Sequence, residues 1–87
     1  MKYELLRLPR AMRQLEHLRR THHPRVADII EAIEALATNP RPPGSEKLTD
    51  RPERRLRIGN HRVLYLVDDT GRTITIVSIA DRREVYR

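Results

Sequence analysis

Apolar residues recur at helical spacing in the first half of the chain, after a short stretch of mixed character. Lys2 to Leu8 contains three residues that suit a strand, and Pro9 then occupies a position typical of a first helical turn. Apolar positions that recur every three or four residues from there form one stripe on a helix. They are Leu8, Ala11, Met12, Leu15 and Leu18. The pattern therefore predicts a strand followed by an amphipathic helix.

A second helical pattern begins at Pro24, which suits a first turn and follows the break at Thr21-His22-His23. Its apolar stripe consists of Val26, Ile29, Ile30, Ile33, Leu36 and Ala37. Asn39-Pro40 ends this helix, because the residue before a proline avoids the α region. The stretch from Asn39 to Pro52 holds four of the six prolines and predicts a loop, anchored to the core by Lys47-Leu48. The two helices predict an antiparallel helical hairpin.

Alternating and β-branched residues dominate the second half and predict a meander of strands. Arg54 to Ile58 alternates between arginine and apolar residues, and Gly59-Asn60 is a turn signal. His61 to Asp68 and Thr73 to Ile79 predict two further strands, the second buried on both faces. The order β-α-α-β-β-β predicts an α+β fold, in which the N-terminal helical hairpin packs on one face of an antiparallel sheet.

Composition limits the chemistry that such a fold can carry. The chain has 87 residues, which predicts a single domain over residues 1–87 with a thin core and no room for a buried cofactor. Cysteine is absent, so disulfides, thiolate metal sites and cysteine nucleophiles are excluded. No membrane-length apolar run or signal peptide is recognisable, and we expect a cytoplasmic protein without a membrane partner.

Positive charge is concentrated in the predicted strands. The formal net charge is +6, and this excess favours a polyanionic partner. Arg55 and Arg57 share one strand face, while Arg62, Arg82 and Tyr86 follow in or after the later strands, where they can converge near one end of the sheet. Guanidinium groups bind phosphates through a planar fork. The alternative interpretation is a solvated strand face whose arginines discourage edge-to-edge aggregation.

The histidines give a weaker signal. His22 and His23 suit a helix cap and its connection, and no ligand spacing predicts a metal site. His61 adjoins Arg62 at a turn and could act as an acid or base near neutral pH. A turn-exposed histidine without a role is the competing interpretation.

The order and spacing of several fragments resemble the RelE/ParE toxin superfamily. The fragments are Leu36-Ala37-Thr38-Asn39-Pro40, Lys47-Leu48, Arg55-Leu56-Arg57-Ile58-Gly59-Asn60-His61-Arg62-Val63-Leu64-Tyr65 and Asp81-Arg82-Arg83-Glu84-Val85-Tyr86-Arg87. The resemblance covers essentially the whole chain, and its basic set favours the RelE-like branch. It implies the toxin of a type II toxin–antitoxin pair, an endoribonuclease that enters the 70S ribosome, cuts mRNA in the A site and inhibits translation. It also implies a RelB-like antitoxin partner and a monomeric free toxin.

The same resemblance assigns roles to individual residues. It implies catalytic roles for Arg62, Arg82 and Tyr86. It implies RNA binding by Arg55, Arg57, His61 and Arg83. The reaction implied is attack of the ribose 2′-oxygen on the adjacent phosphate, which requires a base, charge stabilisation at phosphorus and an acid. His61 stands where many members of the family carry tyrosine, which leaves the assignment of base and acid open.

Two other functions are compatible with the sequence. ParE-like members of the superfamily poison DNA gyrase, although they typically lack the complete set of basic residues and tyrosine. A non-catalytic RNA-binding module is the second alternative, and such modules usually carry aromatic stacking platforms. This chain contains only three aromatic side chains besides histidine, Tyr3, Tyr65 and Tyr86, which argues against that alternative.

Overall fold

Two helices and five strands follow one another in the computed structural model, which describes residues 2–81. The elements are β1 (Glu4–Arg7), α1 (Pro9–Arg20), α2 (Val26–Leu36), β2 (Ser45–Lys47), β3 (Arg54–Ile58), β4 (His61–Asp68) and β5 (Thr73–Asp81). The predicted α+β class and the order of its main elements are confirmed. The second helix begins at Val26, two residues after the predicted first-turn proline.

The strands form one sheet in the order β1-β5-β4-β3-β2. Neighbouring strands from β2 to β5 run antiparallel, as predicted, whereas β1 pairs with β5 in parallel. The sheet is therefore mixed. No hairpin joins β1 to β5, so the direction of β1 is set by the crossover through the two helices and not by a tight turn.

The proline-rich stretch contains a strand that its sequence did not predict. Ser45 to Lys47 pairs with β3 and forms one edge of the sheet. Three residues are too few for alternation to be recognised, and the surrounding prolines indicate a loop. The predicted anchor is confirmed, because Leu48 packs against Leu64 and Ala80.

Both helices pack on one face of the sheet, which we call the helix face; the opposite face is the open face. The core of the helix face includes Ala11, Leu18, Ile29, Ile33, Leu36, Leu56, Val63, Tyr65, Ile74, Ile76 and Ile79. The predicted stripe of α1 is narrower than expected, since Leu8 and Met12 are 42% and 56% exposed. The prediction that β5 is buried on both faces holds only for Ser78–Ala80, where consecutive residues are buried. Just before them, the pairing of β5 with β4 shifts register between Leu64 and Tyr65.

Helix α1 completes the hydrogen bonding of β5 where β1 ends. Arg7 is in register with Ile76, and the Leu8 amide donates to the Ile76 carbonyl. Further along β5, the Ile79 amide donates a 2.6 Å hydrogen bond to the Gln14 side-chain oxygen. A strand edge that β1 does not reach is thus covered by a helix, which satisfies a backbone donor and fixes α1 against the sheet.

The turn between β3 and β4 requires a left-handed backbone. Gly59 has a φ of 60°, and a Cβ atom there would lie 2.8 Å from Nε of Arg25. Arg25 immediately precedes α2 and forms an ion pair with Asp28. The turn therefore packs against the side chain that precedes the second helix, and this contact holds the ends of β3 and β4.

A polar cluster ties the β4–β5 turn to the beginning of β1. The Tyr3 hydroxyl donates to Asp69 at 2.6 Å, and Arg41 donates to both oxygens of the same carboxylate. The hydrogen bonds from Arg41 and then Tyr3 lower the pKa of Asp69 below its ordinary value. The Arg72 guanidinium lies over the Tyr3 ring.

Substitution of Gly59 should separate backbone strain from side-chain contact. We expect Gly59→Ala to lower the free energy of unfolding by about 1–2 kcal/mol, because alanine resists a left-handed conformation. Gly59→Asn should cost less, since asparagine tolerates that region and the Arg25 side chain can move. Urea denaturation followed by circular dichroism measures both. Equal losses for the two variants would contradict a dominant role for φ.

The pKa of Asp69 makes part of the stability depend on pH. A carboxylate whose pKa is lowered by folding stabilises the protein above its unfolded pKa, and this contribution is lost as pH falls through the folded pKa. The difference in unfolding free energy between wild type and Asp69→Asn should be constant near neutral pH and shrink below about pH 4. Urea titrations over a pH series measure it. Arg41→Gln should diminish the same pH-dependent part, and a difference that does not vary with pH would refute the prediction.

Candidate functional site

Three of the predicted site residues lie together on the open face. Leu56 and Ile58 belong to the core of the helix face, so the alternating Arg55 and Arg57 side chains lie on the open face of β3. Arg57 is directly in register with Arg62 of β4. The convergence of these three arginines, expected from the sequence, is present in the structure.

The pairing of Arg57 with Arg62 is unfavourable for sheet stability. Residues directly opposite each other in an antiparallel pair have their Cβ atoms about 5 Å apart, and like charges in this position are destabilising. The register pair thus places two cationic side chains at directly opposite positions of β3 and β4.

Arg62 is held in place although it carries a charge. Only 7% of the residue is exposed, and its Nη1 donates to the carbonyls of Gly59 and His61. These carbonyls belong to the turn that Arg25 packs against. A guanidinium withdrawn from bulk water acts through a lower effective dielectric, so its field at a neighbouring anion is stronger than that of a surface arginine.

A carboxylate that the sequence reasoning missed lies beside the arginines. Glu46 of β2 is in register with Arg55 and forms an ion pair with it. The Glu46 side chain is 59% exposed and that of Arg55 is 14% exposed. Glu46 also lines a shallow cleft of about 300 Å³ together with Gly44, Ser45 and Arg57. Only the pairing of β2, which its three residues do not reveal in the sequence, brings Glu46 to this face.

His61 is not brought to the arginine cluster. It is in register with Ile58, so it lies on the helix face, and only 6% of it is exposed. Its ring meets that of His23 edge to face at a centroid distance of 4.7 Å. The interpretation of His61 as turn-exposed is therefore wrong, because the turn packs under the segment that precedes α2. Its predicted contact with RNA stays a prediction.

Three predicted site residues lie outside the part of the chain that the structure describes. They are Arg82, Arg83 and Tyr86. Strand β5 ends at Asp81, which is in register with His61, and the preceding Ala80 is in register with Arg62. The roles predicted for Arg82, Arg83 and Tyr86 stay predictions.

Residues 2–81 offer no candidate for a metal site or for a membrane-crossing helix. No group of three histidine or carboxylate side chains is placed to hold a metal ion in this part of the chain. Neither described helix has the length and apolar character that a membrane crossing requires.

Comparisons with known proteins agree with this geometry. The toxin–antitoxin complex RelBE2 from Mycobacterium tuberculosis contains a chain with 27% sequence identity and a TM-score of 0.75, and the match covers 94% of this chain and 100% of that one. A YoeB/ParE toxin from Agrobacterium tumefaciens is 20% identical with a TM-score of 0.78, over 90% and 96% of the two chains. A mutant of the E. coli toxin RelE in the free state is 20% identical with a TM-score of 0.73, over 99% and 90%. No curated protein matches the sequence.

The sequence also matches a family as a whole. The family described as the ParE toxin of the type II toxin–antitoxin system parDE matches residues 5–86. The matched span includes both helices, the complete sheet from Leu5 onwards and the arginine cluster. The chain therefore belongs to this family of type II toxins, within the RelE/ParE superfamily.

Proposed function

We propose that this toxin is a ribosome-dependent endoribonuclease that cuts mRNA in the ribosomal A site and so inhibits translation. The observation that carries the proposal is the register pair of Arg57 and Arg62 on the open face. Two adjacent guanidinium groups match the charge and shape of a phosphodiester. The neighbouring ion pair between Arg55 and Glu46 adds a third cation and a carboxylate to the same surface.

The reaction proposed is attack of a ribose 2′-oxygen on the adjacent phosphorus. The P–O5′ bond breaks, a 2′,3′-cyclic phosphate forms, and the leaving 5′-oxygen takes up a proton. Arg62 stabilises the charge that develops on the phosphate oxygens, because its guanidinium is held by two carbonyls before the substrate arrives. Arg55 and Arg57 hold the RNA backbone on either side.

The base that accepts the 2′-hydroxyl proton cannot be an arginine, since arginine stays protonated at all relevant pH values. Tyr86 is the base suggested by the resemblance, and Arg82 the acid or an additional charge stabiliser. The structure adds Glu46 as a second candidate base, because a carboxylate accepts a proton directly and this one lies among the phosphate-binding arginines. Glu46→Gln and Tyr86→Phe distinguish the two, since only loss of the true base should abolish the rise of the cleavage rate with pH that deprotonation of that base produces.

An antitoxin partner completes the proposal. Several of the similar structures are toxin–antitoxin complexes, among them RelBE2 from Mycobacterium tuberculosis and a RelE–RelB complex from Pyrococcus horikoshii. By analogy, a cognate antitoxin neutralises this toxin by covering the open face. The positive charge of that face is suited to an acidic partner segment.

A second function is supported by the family itself. The matched family is that of ParE toxins. The resemblance noted in the sequence implies that ParE-like members poison DNA gyrase. Under that alternative the arginine cluster would contact the gyrase–DNA complex and would perform no chemistry. The two functions differ in their products, which are cut mRNA in one case and trapped DNA breaks in the other.

Primer extension on mRNA bound to purified translating ribosomes tests the proposal. Wild type should produce cuts at A-site codons, and Arg62→Ala should slow them by about 10²–10³-fold, the usual effect of losing a group that stabilises transition-state charge. Arg19→Ala is the matched control, because Arg19 pairs with Glu16 on an exposed helix surface and should leave the rate unchanged. Absence of cuts with folded wild type, together with gyrase-dependent DNA breaks, would reverse the assignment in favour of the gyrase poison.

A further inference from the structure

A cleft of about 270 Å³ lies between α1 and the end of β5. It opens beyond the end of β1, where the Ile79 amide donates to the Gln14 side chain. Its wall on α1 carries Arg10, Arg13 and His17, and its floor is made by Leu18, Ile79 and Ala80. A cationic wall over a partly apolar floor suits a ligand that has both anionic groups and flat, less polar parts.

The cations of the wall are not explained by the stability of α1. Arg10, Arg13 and His17 follow one another at three and four residues, so they lie on one side of the helix. No described hydrogen bond or ion pair within residues 2–81 engages the side chains of Arg10 or Arg13, whereas Arg19 of the same helix pairs with Glu16. The first turn of α1 has no acidic residue, and cations near a helix N-terminus oppose the helix dipole.

The cleft lies on the helix-face side of β5, at the same end of the sheet as Arg57 and Arg62. Arg57 is in register with Arg62, and Arg62 is in register with Ala80, which forms part of the cleft floor. Adjacent strands lie about 4.8 Å apart, so the path from Arg57 to the cleft crosses two strand spacings, about 10 Å. Among the described residues no strand pairs with β5 beyond Ile76 on this side, so the path runs around the edge of the sheet from the open face to the cleft. Cationic groups therefore lie on both sides of this edge.

We propose that this cleft binds the backbone of the single-stranded RNA substrate next to the phosphate that is cut, with Arg10 and Arg13 each engaging one phosphate. The inference rests on the proposed ribonuclease function and extends its substrate site from the sheet to α1. Consecutive cations along the helix are about 4.5–6 Å apart, which allows neighbouring phosphates of one strand to be held. Asp81 and His61 also line the cleft, so two guanidinium groups and two imidazoles accompany one carboxylate. Ribose and base edges rest on the floor of Leu18, Ile79 and Ala80.

Salt dependence of RNA binding tests the cleft separately from cleavage. The probe is a fluorescein-labelled single-stranded RNA with a 2′-O-methyl group on every ribose, so that no 2′-hydroxyl is available for attack. Its dissociation constant is measured by fluorescence anisotropy over a series of potassium chloride concentrations. We plot the logarithm of the association constant, the reciprocal of the measured constant, against the logarithm of the salt concentration. In Arg10→Gln/Arg13→Gln the slope should fall in magnitude by about 1.4, which is about 0.7 for each lost phosphate contact.

The control is Arg19→Gln/Arg51→Gln, which removes the same charge from residues that do not line the cleft. This control should keep the wild-type slope, and circular dichroism melting should show that both double variants remain folded. Equal slopes for the two double variants, or failure of the wild type to bind the probe at any salt concentration, would overturn the proposal. A third outcome would also overturn it: Arg10→Gln/Arg13→Gln keeps the wild-type salt slope for RNA but no longer binds a polyglutamate peptide that the wild type binds. That result would assign the cleft to an acidic protein partner.

The outcome for the cleft is distinguishable from the outcome for the reaction. A lowered slope in a protein that produces no ribosomal cuts would retain the RNA-binding cleft and reject the ribonuclease. Ribosomal cuts with an unchanged slope would retain the ribonuclease and reject the cleft.

Discussion

The placement of β4 between β3 and β5 governs what both faces of the sheet present. Val63 and Tyr65 are fully buried against the helices, and the Tyr65 hydroxyl donates a 2.7 Å hydrogen bond to the Pro40 carbonyl. Because side chains alternate along a strand, a slip of one residue would turn Arg62 into the core and Val63 to the open face. Apolar packing on the helix face therefore fixes the arrangement of cations on the open face.

That arrangement carries an electrostatic cost in a small domain. Like charges face each other at Arg57 and Arg62, and the first turn of α1 carries arginine without an acid. Like charges in direct register and cations at a helix N-terminus each cost stability unless neighbouring negative charge offsets them. The ion pair of Arg55 with Glu46 relieves part of the repulsion on the open face.

The sequence predicted those parts of the molecule in which apolar residues recur at a regular helical or strand spacing. The stripe of α2 and the alternation of Arg54 to Ile58 identified the core and the face of Arg55 and Arg57 from local spacing alone. Glu46 escaped prediction because its strand has three residues and owes its place to pairing with β3. His61 was misjudged because a strand signal does not reveal that the segment before α2 packs under the turn. Local patterns were sufficient wherever a side chain's environment is set by its own strand or helix, and insufficient where a distant segment sets it.

The parallel pairing of β1 with β5 also has a consequence for synthesis. Leu5 pairs with Ile74, which lies in the last described strand, and β5 lies between β1 and β4 in the sheet. Contacts of such high contact order cannot form until β5 has emerged from the ribosome. Until then β1 has no neighbouring strand, and Arg62 and Ala80 are not yet side by side. A nascent chain therefore cannot bring Arg62 and Ala80 into register until β5 has emerged from the ribosome.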